Sequence, residues 1–122
     1  MNAQINLKDG WFNFNNYTSV EIVKYKSISN HKIENAVSIN DINSIQKLKE
    51  RIEKLPENGD EMKSFGSEAE QIDLVFYKEK KSQEIQIFNG RFKTPSTGFN
   101  SGKNEIETAL YNDIVALLSS NR

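Results

Sequence analysis

At 122 residues the chain has the length of one domain, with room for one hydrophobic core. It holds no cysteine and a single histidine, His31, which excludes thiol nucleophiles, Cys/His zinc sites and any mechanism that needs two imidazoles. With 16 Lys and Arg against 17 Asp and Glu the formal net charge is −1, which argues against nonspecific binding to nucleic-acid phosphates.

In chain order, Trp11, Phe12 and Phe14 form a short aromatic stretch that reads as core, closed by an Asn15-Asn16 turn signal. Residues 17–28 carry a strand signal in Val20, Ile22, Val23, Tyr25 and Ile28. A polar turn through His31 leads to a second strand over 33–39 that pairs back on the first. Asn40 or Asp41 is an N-cap, because a short side-chain oxygen there accepts from the free amides of a first helical turn. The helix that follows places Ile42, Ile45, Leu48, Ile52 and Leu55 on one stripe by steps of three and four, and Pro56 stops it.

Residues 57–68 form the longest break, with turn chemistry at Asn58-Gly59 and around Gly66. Ile72, Leu74 and Phe76 then alternate with Asp73, Val75 and Tyr77, a strand with one apolar face. A charged turn over 78–82 precedes a strand in which Ile85 and Ile87 alternate with Gln86 and Phe88. Asn89-Gly90 is a hairpin dipeptide leading into a short strand over 91–94. After an irregular stretch over 94–102, a last helix starts near Lys103 or Asn104. Glu105 and Glu107 sit at the positive end of its dipole. Its apolar residues are Ile106, Ala109, Leu110, Ile114, Leu117 and Leu118, flanked by Tyr111 and Val115.

The connections are of hairpin length, so the expected fold is α+β. It is a single domain over 1–122, an antiparallel sheet of about five to six strands with two α-helices packed on one face. Val75, Tyr77, Gln86 and Phe88 are then expected on the other face.

No catalytic set is visible, and the chain reads as a non-enzyme with no cofactor and no metal. His31 lies among polar neighbours in a turn, without an assignable carboxylate partner. Glu61-Met-Lys63 and Glu79-Lys-Lys81, with Asp73 between them, have the residue types of a metal nuclease. Their placement in a loop and a hairpin turn is wrong for that chemistry. The glycines around Gly98 and Gly102 fit neither phosphate-binding fingerprint. The charge is uneven, however. Glu57, Asp60, Glu61, Glu68, Glu70 and Asp73 stand against Lys63 alone, six negative charges and one positive, so residues 57–73 are five units negative and the remainder four units positive. Such a segment suits docking to a basic protein, and these six acids are the candidate protein-binding residues.

A compact α+β chain rich in Asn, Ile and Lys, with no catalytic set and one acidic segment, resembles the small immunity proteins of bacterial polymorphic and contact-dependent toxin systems. The resemblance is one of type, and no signature motif carries it. It implies a cytoplasmic antidote that neutralises a cognate toxin, such as a nuclease, by tight binding, with no nucleic-acid partner and no membrane insertion. The alternative expectation is an exported or lipoprotein-derived domain, a periplasmic mature chain lacking its leader, that binds a ligand or envelope partner.

Overall fold

The computed structural model describes residues 17–55, 66–94, 98–99 and 105–120. The expected aromatic stretch over 11–14 and the acidic positions Glu57, Asp60 and Glu61 lie outside them. The elements are β1 (Ser19–Tyr25), β2 (Ile33–Ile39), α1 (Ile42–Glu53), β3 (Gln71–Lys78), β4 (Lys81–Phe88), β5 (Arg91–Thr94), β6 (Gly98–Phe99) and α2 (Glu105–Ser119). The strands form one antiparallel sheet in the order β2-β1-β3-β4-β5-β6, and both helices pack on one face of it, an α+β arrangement.

Local chemistry explains the elements. At Asn89-Gly90 both residues have positive φ, 50° and 83°, the mirror-image turn whose twist matches that of the flanking strands. The β3–β4 turn starts at Glu79, also at positive φ, so Glu79 and Lys81 bracket a hairpin turn as the sequence suggests. Asp41 is the N-cap of α1: its carboxylate accepts from the amide and the hydroxyl of Ser44. At 12 residues α1 is too short to persist alone. Burial holds it, through Ile45, Leu48 and Ile52, at about 1.5–3 kcal/mol for each apolar side chain removed from water.

The core lies between the helices and the near face of the sheet. Val20 and Ile22 of β1, Ile72, Leu74 and Phe76 of β3, and Ile85 and Ile87 of β4 meet Leu48 and Ile52 of α1 and Ile114 of α2. Two expectations about the helices need correction. Ile42, assigned to the stripe of α1, is 71% exposed because it precedes the first turn that faces the sheet. In α2 the buried line runs through Glu107, Leu110, Ile114 and Leu118, so Ile106 and Ala109 face outward. Glu107 stands in the first turn of α2, as expected, but is only 1% exposed: its carboxylate accepts from the Phe92 amide at 2.9 Å, tying α2 to β5.

Candidate functional site

Alternation puts every second strand residue on the face turned away from α1 and α2, here called the distal face. The register aligns Tyr25, Gln71, Phe88 and Arg91 in one row, and Val23, Asp73, Gln86 and Lys93 in the next. Glu21, Val75 and Glu84 make a third row, and Ser19, Tyr77 and Ser82 a fourth. Val75, Tyr77, Gln86 and Phe88 lie on this face, as the alternation predicts, and all four are half-buried.

A chain of polar contacts crosses it. The Gln71 amide nitrogen donates to Asp73 Oδ1 at 3.0 Å, and the Gln71 Oε1 stands 3.0 Å from His31 Nε2. The imidazole in turn stacks beside the Tyr25 ring, with centroids 4.8 Å apart. Gln71 and Asp73 are both buried. Glu84 is the diagonal neighbour of Asp73 on β4, on the same face. On the β1 side the Tyr77 hydroxyl donates to Glu21 Oε1 at 3.3 Å.

Burial pushes the Asp73 carboxyl above the usual carboxylate range, against the pull of Gln71, His31 and Glu84. Burial first and then the Asp73 charge push Glu84 up as well. The folded state therefore holds more protons on this pair than the unfolded chain does. That contribution to stability is fully present below the unfolded carboxylate range and is lost as pH rises through the raised folded range. Glu84→Gln removes one of the two titrating carboxyls. Its thermal midpoint should exceed wild type at pH 7 and converge on it at pH 4; an equal offset at both pH values would break the linkage.

Among the described residues the predicted acids Glu68, Glu70 and Asp73 lie apart. Glu68 is exposed ahead of β3. Glu70, one residue out of phase with Gln71, turns to the helix side. There its carboxylate accepts from the Tyr111 hydroxyl at 2.5 Å and pairs with Lys24 at 3.5 Å, while Lys24 also pairs with Glu34 at 3.1 Å. Burial and the Glu70 carboxylate push the Tyr111 phenol far up. The register slip between Lys24 and Tyr25 leaves Glu34 outside the ladder, beside Lys24. This corner borders a cleft of about 400 Å³ that Asn35 and Leu118 also line. Of the three predicted acids among the described residues, Asp73 alone joins the distal face.

Glu21, Tyr25, His31, Gln71 and Glu84 were not singled out from sequence as a group, because only the strand register brings them together. The period-two alternation of Glu21, Val23 and Tyr25 was the available signal. Among the described residues no set of three or more His, Asp or Glu is placed to hold a metal ion. No described helix is long and apolar enough to cross a membrane. The chain matches no protein-family model, and no curated protein or solved structure is significantly similar to it.

Proposed function

We propose that the chain is a protein-binding inhibitor, an immunity-type protein that neutralises a bacterial toxin domain by covering its active surface. The observation that carries this reading is the distal face. Carboxyls from three adjacent strands, Glu21, Asp73 and Glu84, stand among the half-buried rings of Tyr25, Tyr77 and Phe88. Aromatic side chains anchor protein interfaces, and carboxylates around them complement a basic surface. A nuclease presents such a surface, because it must hold phosphates. The acids that precede β3, among them the exposed Glu68, add negative charge for steering. The cleft beside Tyr111 favours the second reading, a domain that binds a small ligand.

The test is capture of a partner by the tagged chain from its native cells, followed by kinetics with the purified pair. A basic protein retained in stoichiometric amount, whose activity the chain abolishes, is the expected result. Glu21→Lys/Glu84→Lys should slow association by about tenfold or more at low salt, and the difference should shrink as salt screens it. A partner that binds the double variant as fast as wild type would remove the distal face from the interface. Capture of no such protein would overturn the inhibitor reading.

A further inference from the structure

The cleft beside Tyr111 lies on the helix side of the sheet, between the β1–β2 end and the C-terminal half of α2. Its donors are engaged within the chain. Lys24 Nζ is held by Glu34 at 3.1 Å and by Glu70 at 3.5 Å, and the Tyr111 O–H is held by Glu70. The Asn35 amide nitrogen donates to the Leu118 carbonyl at 2.9 Å. What remains open toward the cleft is a set of acceptors. The Glu34 carboxylate is 46% exposed and meets Lys24 through one oxygen, the Glu70 carboxylate lies across from it, and the Tyr111 oxygen keeps a lone pair. Two carboxylates against one ammonium leave the cleft one unit negative. The C-terminal turn of α2 adds the negative end of its dipole, and no basic residue stands in that turn to offset it. An anion is repelled here, and a positively charged donor is drawn in.

We propose that this cleft binds a primary ammonium carried on a short apolar stem. The helix sets the stem side: Tyr111, Val115 and Leu118 follow one another by steps of four and three, so they form one stripe along the α2 wall. The strands set the head side. Glu34 and Glu70 already converge on a single nitrogen, Lys24 Nζ, which is how carboxylates meet a point charge, whereas a guanidinium asks for a parallel fork. At about 400 Å³ the cleft lies near the lower end of small-molecule sites, roughly 300–1,000 Å³, so the stem is short. Burial and the Glu70 carboxylate keep the Tyr111 phenol neutral, so its proton stays on the bond to Glu70 and the ligand meets only its oxygen. The proposal deepens the ligand-binding reading of this cleft and rests on it, and it is independent of the inhibitor reading. The ammonium could belong to a free alkylamine or to a lysine side chain of another protein.

The test uses the full chain without a partner. It is titrated at constant ionic strength with phenethylamine, with Nα-acetyl-lysine amide, and with hydrocinnamate, which has the stem of phenethylamine and the opposite charge. Backbone amide shifts of Tyr111, Val115 and Ser119 are followed by NMR. Saturable shifts with phenethylamine are expected, with hydrocinnamate weaker by about tenfold or more. Glu34→Gln, on the exposed outer strand, should weaken the amine by about threefold or more. Val115→Lys, which offers the cleft an ammonium of the chain's own, should abolish binding; if that variant fails to fold, Glu34→Gln carries the test. Lysine amide binding as tightly as phenethylamine assigns the site to a protein's lysine, and weaker binding assigns it to a free amine. Hydrocinnamate binding as tightly as the amine, or amine affinity unmoved by Glu34→Gln, would overturn the ammonium site and leave the cleft as a ligand site of another kind. No saturable shift with any of the three would overturn the ammonium site and the ligand-binding reading together.

Discussion

Phe76→Ala is expected to lower the unfolding free energy by about 3–5 kcal/mol, the range for deleting a buried aromatic ring from a packed core. Phe76 has no exposed surface, lies on central strand β3, and packs its ring at 59° against Tyr17 with centroids 5.1 Å apart. Removing it strips contacts from Val20, its register partner on β1, and takes away the ring on which Tyr17 rests. Domains of this size are stable by only about 5–15 kcal/mol, so the variant should unfold at a much lower urea concentration. A midpoint close to wild type would mean that the site collapses around the missing ring, and that the core is looser than its burial indicates.

The second large effect concerns Glu107. Glu107→Ala removes the acceptor of the Phe92 amide, and an orphaned buried donor costs about 1–3 kcal/mol before the emptied volume is counted. Glu107→Gln keeps a carbonyl oxygen in reach and should lose much less. Urea titration of the two variants side by side checks this. If alanine and glutamine are equally destabilising, the carboxylate charge matters and the hydrogen bond to β5 does not.

The same residue shows where sequence patterning stops being informative. Position 107 reads as a good place for an acid because helix starts favour negative charge, and the hydrophobic pattern around it points to Ile106. Its real role depends on β5 lying under the first turn of α2, a tertiary fact that no local window contains. The legible parts were those fixed by neighbours in sequence. Ile72, Leu74 and Phe76 announce β3, Ile45, Leu48 and Ile52 announce α1, and Asn89-Gly90 announces its hairpin. Strand order was not legible, since nothing local says that β3 sits beside β1. Without that pairing, Glu21, Asp73 and Glu84 are three unrelated acids, and the charge run over 57–73 is the more conspicuous signal. The run then divides by parity, with Glu70 toward the helices and Asp73 toward the distal face.

The place of β1 and β3 side by side in the sheet also fixes the order in which the chain can fold. The β1–β2 hairpin is local, and so is the meander from β3 to β5, whereas the contact of Glu21 with Tyr77 joins residues 56 positions apart. A two-stranded ribbon is marginal alone, so the β1–β2 hairpin must wait for β3 before its apolar side chains leave water. Leu110, Ile114 and Leu118 complete that core from α2, after every strand has been made. On the ribosome, at roughly 5–20 residues per second, the hairpin stays unsheltered for seconds and closure of the core comes after the synthesis of α2. For this architecture closure waits for the last helix, and the exposed Val20 and Ile22 of the waiting hairpin are where a chaperone would first hold the chain.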